Sequence, residues 1–348
     1  MNSEFIGALE QIAKEKHISI DVLIEAIEAA LISAYKRNFG SSQNVSVNID
    51  RTTGEVGVFA KKKVVEVVEN DLLEISLEDA KKINKKYELS DIVEIEVTPK
   101  RFGRIAAQTA KQVVVQRIRE AERGNIYEEF FSKQSDIVTG IVQRTEKKNV
   151  YVEVGSIGKV EAILTPNEQV PGEEYNFNDR IKVYVLEVEK TTKGPQVYVS
   201  RTHPGLVKRL FEKEVPEIYD GIVVIKGISR EPGSRTKIAV FSSDPNVDPV
   251  GACVGQKGNR VQVIVDELRG EKIDIIKWSP DPAEYIAASL SPAKVLSVEV
   301  NEAEKSAKVI VPDYQLSLAI GKEGQNARLA AKLTGWKIDI KSESQVKE

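Results

Sequence analysis

Apolar side chains in the first forty residues recur with a helical period. Residues 3–16 carry them at Phe5, Ile6, Leu9, Ile12 and Ala13. A second run with the same period starts after Ser19, a residue type that often caps helices, and Gly40 is expected to end it. The sequence then changes to strand-like alternation. Strands are predicted at residues 45–49, 56–68 and 92–97, with a capped helix at 76–87.

A long helix is predicted from Phe102 to about Phe131. Its expected inner face consists of Ile105, Ala106, Thr109 and Val113. Three basic residues are left for the outer surface and are candidate contacts for an acidic or nucleic-acid partner: Arg101, Arg104 and Lys111. The alternative is that these charges only solvate a connecting helix.

The pattern after residue 136 is typical of a small β-barrel. Five short strands are predicted at 137–144, 149–154, 159–164, 180–187 and 196–201, with bends expected at Gly140, Gly155 and Gly158. Five strands in this length resemble an S1-type OB-fold, which binds single strands by stacking bases on aromatic side chains in a basic groove. Tyr151, Arg180 and Lys182 are the candidate RNA contacts, whereas Tyr184 and Tyr198 are expected to pack inside.

The C-terminal part of the chain contains a duplicated unit. Helix, two strands, helix, glycine loop, helix and strand follow one another from residue 204 and again from residue 281. The loops are Gly255–Gly258 and Gly321–Gly324, each between an apolar turn and a helix. Glycine lets another backbone approach closely, and amides at a helix start can face an anion. This geometry suits a sugar-phosphate strand.

The duplicated unit resembles the KH module in its bacterial (type II) arrangement, whose GXXG loop clamps a nucleotide backbone. The resemblance makes both loops and the residues after them candidate RNA contacts. These are Gly255, Gln256, Lys257, Gly258, Asn259, Arg260, Gly321, Lys322, Glu323, Gly324, Gln325, Asn326 and Arg328. The alternative is a tight helix–helix turn that binds nothing.

Charge limits how such a chain could bind nucleic acid. The 348 residues include 50 Lys and Arg against 53 Asp and Glu, and residues 202–348 hold 21 of each sign. Because no predicted domain has a large basic excess, RNA binding would have to depend on local placement of charge.

Other composition signals exclude several classes of site. The single cysteine, Cys253, cannot form an internal disulfide, which favours a reducing, cytoplasmic setting. Two histidines, His17 and His203, have no metal-ligand spacing, so neither a metal nor a cofactor is predicted. No segment is long and apolar enough for a membrane span, and the N-terminus has no apolar signal-peptide core.

Longer motifs extend the resemblance to essentially the whole chain. They are FGRIAAQTAKQV at 102–113, EPGSRTKIAV at 231–240, DPVGACVGQKG at 248–258 and AIGKEGQNARLAAKLTGW at 319–336. Together they resemble the NusA family of bacterial transcription elongation and termination factors. The resemblance implies an α+β multidomain fold: an α+β N-terminal head with a long connecting helix, an S1-type OB-fold barrel and two tandem KH domains. The expected boundaries are 1–132, 133–201, 202–278 and 279–348.

The same resemblance implies a function. The head would dock on RNA polymerase near the RNA exit channel, with Arg104 and Lys111 facing polymerase or nascent RNA, while the barrel and both glycine loops hold the emerging transcript. Such a protein modulates pausing, promotes intrinsic termination and joins antitermination complexes with other factors. It is expected to act as a monomer, without catalysis.

Two departures from the family pattern are visible. Glu323 lies between the glycines of the second loop, and a carboxylate beside a phosphate is unfavourable. Some members carry acidic repeats after the last KH module, and this sequence stops a few residues beyond its final predicted strand, so autoinhibition by such repeats is not assumed. Because Pro280 and Pro282 leave little slack between the modules, we expect a rigid tandem across which one strand could run.

Two other function classes use KH and S1 modules. KH and S1 modules also accompany phosphorolytic exoribonucleases, but there the KH module precedes the barrel and both follow large catalytic domains. The sequence contains no paired-carboxylate, P-loop or nucleophile arrangement. The remaining alternative is a ribosome- or RNA-assembly adaptor.

Overall fold

The computed structural model describes residues 3–16, 18–39, 44–155, 159–192 and 194–346. His17, Gly40 and Gly158, which entered the sequence predictions, lie outside these ranges. The chain forms two compact units, residues 1–125 and 126–348. Each unit is described by itself below.

The first unit has the predicted α+β composition. Its elements, with the whole of the long helix included, are α1 (Ser3–Lys16), α2 (Ile20–Phe39), β1 (Val45–Ile49), β2 (Val56–Val65), β3 (Glu74–Ser76), α3 (Leu77–Ile83), β4 (Ile92–Glu96) and α4 (Phe102–Ser132). Strand β2 pairs antiparallel with β1 and β4 and parallel with β3. Ser76 caps α3 by accepting a hydrogen bond from the Asp79 amide. The short β3 was not predicted, and α3 ends earlier than expected.

The buried face of α4 differs from the predicted one. Phe102, Ala106, Ala110 and Val114 are buried, at strict four-residue spacing. Ile105 and Val113 pack at the edge of this stripe, against the same core. Phe102 meets Tyr35 of α2 edge-to-face at 5.8 Å between ring centroids. Because α4 packs closely against the core, small alanines lie at the centre of the contact and larger residues lie at its border.

The second unit begins with a closed five-stranded barrel, as predicted. Its strands are β5 (Ile137–Glu146), β6 (Asn149–Val154), β7 (Val160–Leu164), β8 (Arg180–Thr191) and β9 (Gly194–Ser200), and they close in the order β5-β6-β7-β9-β8. Valines fill the interior. A Cβ atom at Gly140 would collide with Val152 and Val154, so only glycine fits at this position of β5.

Two modules of the same topology follow the barrel. The first KH module contains α5 (Pro204–Glu214), α6 (Pro216–Tyr219), β10 (Val223–Glu231), β11 (Arg235–Ser242), α7 (Pro249–Val254), α8 (Asn259–Glu267) and β12 (Lys272–Lys277). The second contains α9 (Pro282–Ser289), β13 (Ser297–Asn301), β14 (Ser306–Val311), α10 (Leu316–Ile320), α11 (Gln325–Thr334), β15 (Lys337–Ser342) and α12 (Glu343–Val346). In each sheet the last strand pairs parallel with the central strand, β12 with β11 and β15 with β14. The predicted KH arrangement is confirmed.

Candidate nucleic-acid interface

The two glycine loops have the same backbone conformation. The first glycine has φ 72° and ψ 177° at Gly255 and φ 77° and ψ 169° at Gly321. The third residue is left-handed in both, with φ 52° at Lys257 and φ 54° at Glu323. Independent stretches of sequence therefore build one loop shape twice, at the start of α8 and of α11.

Glycine is required at the first loop position for two reasons. Its φ lies in the left-handed region, which favours glycine. A Cβ atom would also lie 2.7 Å from Arg260 Cγ in the first loop and 2.8 Å from the Asn326 backbone nitrogen in the second. The loop thus folds tightly over the first turn of the next helix, and its two central residues are left exposed: Gln256 and Lys257, or Lys322 and Glu323.

Two predicted RNA contacts brace the loops from inside. Arg260 donates to the Ala252 carbonyl at 2.6 Å and to Glu217 at 2.8 Å. Asn326, at the equivalent position, is only 3% exposed. Its amide donates to the carbonyls of Ala319 and Leu290, both at 3.0 Å. These contacts correct the prediction for Asn326, whose side chain lies within the fold and not on the binding surface.

Two more predicted contacts join the KH modules to each other. Arg328 Nε donates to Glu231 of the first module at 2.7 Å, and Gln325 donates to the same carboxylate at 2.8 Å. The hydrogen bond from Arg328 holds the pKa of Glu231 below its usual value. Both side chains therefore join the two modules through hydrogen bonds to Glu231. The spacing of residues in the sequence could not reveal this contact.

The two KH modules also share a buried interface. The outer face of the first KH sheet, with Ala239 and Ile276, packs against Tyr285 and Leu333 of the second module. Lys237 is fully buried there and donates to the Ser291 carbonyl at 2.7 Å, while Asp274 lies 2.9 Å from the same ammonium. Asp274 has a lowered pKa: burial alone would raise it, and hydrogen bonds from Arg235 and Lys237 outweigh that effect. The two modules thus form one packed body.

The barrel is fixed to the first KH module by buried ion pairs. Arg201, 1% exposed, lies 2.5 Å from Glu173 and 3.4 Å from Glu267 of α8. Arg269 also reaches Glu173, at 3.2 Å. Because Arg201 and Glu173 are desolvated together, each of these two charges depends on the other.

The predicted barrel contacts have different surroundings. Tyr151 lies under the Arg144 guanidinium at 4.1 Å. Arg180 is exposed. Lys182 faces the first KH module, where its ammonium lies 3.5 Å from Glu267. An aromatic that the sequence prediction missed, Phe177, is 76% exposed near the start of β8. In the sequence, the one feature that could have indicated an exposed ring was its position in a polar turn.

The two barrel tyrosines expected to pack differ in exposure. Tyr184 is buried and stacks on His203 at 4.5 Å between ring centroids, as expected. His203 in turn caps α5 by accepting from the Gly205 amide, and burial lowers its pKa. Tyr198 is partly exposed, with a pKa raised by burial.

The predicted head residues lie on the surface of the first unit. Arg101, Arg104 and Lys111 are all exposed. Lys111 lines a surface cavity of about 750 Å³ along α4, together with Gln108, Gln112, Arg119 and Arg123. Arg119 and Arg123 were not predicted, although they continue the basic character of α4 toward its C-terminal half.

The described ranges contain no group of three or more His, Cys, Asp or Glu side chains arranged to hold a metal ion. Cys253 is buried, and burial raises its pKa to about 12, so the thiol stays protonated and unreactive at neutral pH. Across the same ranges, every helix is too short or too polar to cross a membrane.

Comparison with known proteins identifies the family of the chain. Family models match along the chain: the NusA N-terminal domain at residues 4–124, the S1 RNA binding domain at 133–200, and the NusA-like first and second KH domains at 201–278 and 282–348. The chain belongs to the NusA family.

Relatives within the NusA family are similar over the full chain. The transcription termination/antitermination protein NusA of Halalkalibacterium halodurans is 66% identical over 348 residues, which cover 100% of this chain and 90% of the relative. NusA of Bacillus subtilis is also 66% identical over 348 residues, covering 100% and 93%. The solution structure of the B. subtilis NusA N-terminal domain is 63% identical and covers 35% of this chain and 99% of that one, with a TM-score of 0.33.

Proposed function

We propose that this chain is a transcription elongation factor that binds nascent single-stranded RNA and RNA polymerase, and so modulates pausing, intrinsic termination and antitermination. The observation that carries the proposal is the pair of exposed glycine loops of one conformation, on KH modules that pack as one body. The family's members are named as termination/antitermination proteins. The protein would act by binding, without catalysis, as a cytoplasmic monomer assisted by other antitermination factors.

The RNA contacts proposed for the loops are narrower than the predicted set. The side chains of Gln256, Lys257, Asn259 and Lys322 are exposed and can meet phosphates. Arg260, Gln325, Asn326 and Arg328 are proposed to support these contacts, because each donates a hydrogen bond within the protein. Glu323 weakens the second loop, which makes the first loop the stronger clamp.

The barrel would add a weaker contact to the same strand. Arg180 and the exposed Phe177 offer a charge and a stacking face, and Tyr151 a ring already covered by Arg144. The domain boundaries proposed are those predicted from the sequence, 1–132, 133–201, 202–278 and 279–348.

The head is proposed to bind RNA polymerase and not free RNA. Replacing Arg104 and Lys111 together by glutamate should reduce the lengthening of pauses by an in vitro transcribing polymerase severalfold, because a basic surface becomes acidic. Binding of free single-stranded RNA should change less than twofold. Both are measured on the full chain, with Lys14→Glu, an exposed lysine of α1, as the control.

Equal losses in the pausing and RNA-binding assays would instead make the head a general RNA surface. Copurification separates the remaining classes: recovery of ribosomal subunits in place of polymerase would favour the adaptor, and phosphate-dependent RNA decay would favour an exoribonuclease.

A further inference from the structure

A cavity of about 360 Å³ lies where the two KH modules meet, and we call it the junction pocket. It is lined by residues that end the first KH sheet and by residues that begin the second module. They include Phe241, Asp244, Pro249, Lys277, Trp278 and Glu284. The size is at the lower end of small-molecule sites and is sufficient for one planar heterocycle.

Two aromatic rings form one side of the junction pocket, and a lysine ammonium lies over both rings. Phe241 and Trp278 meet edge-to-face at 5.4 Å between ring centroids. The Lys226 ammonium lies 5.4 Å from the first ring and 5.0 Å from the second. The β-bulge between Ile225 and Gly227 interrupts the alternation of β10 at Lys226. Aromatic faces beside a lysine are what a stacked base with its phosphate requires.

The polar side chains of the junction pocket are two carboxylates, two serine hydroxyls and the Lys277 ammonium. Asp244 and Glu284 contribute carboxylates, and each is oriented by a neighbour: Asn246 donates to Asp244 at 3.0 Å and Ser279 to Glu284 at 2.8 Å. A carboxylate can accept further hydrogen bonds through its remaining lone pairs. Such acceptors pair with exocyclic amino groups, which adenine, cytosine and guanine carry and uracil lacks.

The junction pocket is connected to the first glycine loop by a single short helix. Pro249, which lines the pocket, is the first residue of α7, and Val254, its last, directly precedes Gly255. Six helical residues span about 9 Å. Strand β12, an outer strand of the sheet, ends at Lys277 in the pocket wall. A strand clamped at the first loop can therefore place a nearby base here.

We propose that the junction pocket binds one base of the single-stranded RNA held at the first glycine loop. The base leaves the strand, stacks on the Phe241 and Trp278 wall, and is selected for an amino group by Asp244 and Glu284. This inference rests on the proposed RNA-binding function and adds to it a point of base selection at the joint between the modules.

Intrinsic fluorescence tests the proposal directly, because the chain has two tryptophans and Trp336→Phe leaves Trp278 as the only one. The full chain with this change is titrated with 12-nucleotide oligomers of adenosine, cytidine or uridine, and binding is followed separately by anisotropy of labelled RNA. Saturating adenosine and cytidine oligomers are expected to quench Trp278 by a third or more, and the uridine oligomer by much less.

A second variant checks the wall itself. Phe241→Ala should weaken adenosine-oligomer binding roughly tenfold, the scale of one lost stacking contact. Tyr314→Ala, which changes an exposed aromatic outside the pocket, should leave the Trp278 quenching unchanged. RNA binding by anisotropy with no quenching, or with equal quenching by all three oligomers, would overturn the junction-pocket proposal alone. Absence of any anisotropy change would overturn the proposed RNA-binding function as well.

Discussion

Replacing Gln256 and Lys257 by aspartate is expected to lower the affinity for single-stranded RNA by roughly 100-fold or more. Each charge-assisted hydrogen bond to a phosphate contributes about 1.5–3 kcal/mol, and about 1.4 kcal/mol corresponds to a factor of ten. The two changes remove such donors and place carboxylates beside the phosphate path. The loss is measured by anisotropy titration at fixed salt.

The fold should survive this double substitution. Both side chains are exposed, and Lys257 has φ 52°, a left-handed conformation that aspartate adopts more readily than most residues. The control is Lys294→Asp with Ser297→Asp, which removes the same net charge from exposed positions of the second module. Unchanged affinity in the loop variant, or an equal loss in the control, would reject a clamp role for the first loop.

The second large effect is on stability. Arg201→Met should lower the free energy of unfolding of the second unit by about 3 kcal/mol, because Glu173, 3% exposed, would lose its closest cation inside the protein. Arg269 still reaches Glu173, which keeps the loss at the lower end of the range for a broken buried pair. Guanidinium unfolding followed by tryptophan fluorescence measures it, since Trp278 and Trp336 both belong to the second unit.

Arg144→Met provides the matched comparison for Arg201. Arg144 pairs with Glu161 on the barrel surface, where both side chains are 46% exposed. An exposed pair contributes about 1 kcal/mol or less, so the unfolding midpoint should move only slightly. Similar midpoints for the two variants would mean that the seam between barrel and first KH module is not held by the buried charges.

Local patterns were sufficient to predict most of the fold. Strand alternation identified all five barrel strands, and the duplicated order of elements identified both KH modules. The glycine loops were predictable because their left-handed conformations restrict the residue type at each position. The predicted inner face of α4 shares Ala106 with the buried stripe and otherwise lies one position away, since Ile105 and Val113 are more hydrophobic than Ala110, which the close helix contact buries.

The candidate RNA contacts were less predictable than the fold. Hydrogen bonds to residues far away in the sequence decide which of these side chains are available to RNA. Arg328 lies 97 residues from Glu231, to which it donates, and Arg260 lies 43 residues from Glu217. Spacing around a glycine loop cannot distinguish a cation that faces solvent from one that fastens two modules. The same limit hid Trp278 and Phe241, which are 37 positions apart and meet only in the folded chain.

One RNA strand is proposed to lie across both glycine loops. The dependence of RNA affinity on strand length tests this arrangement most directly. A KH loop clamps about four nucleotides, so oligomers of about 4 to 16 nucleotides pass from one loop to two. Because two linked sites bind with a high effective concentration, the affinity should rise by about 100-fold or more once the strand reaches both loops. The rise should vanish in the Gln256→Asp, Lys257→Asp variant. A smooth, shallow increase with length that is the same in wild type and variant would contradict a shared track.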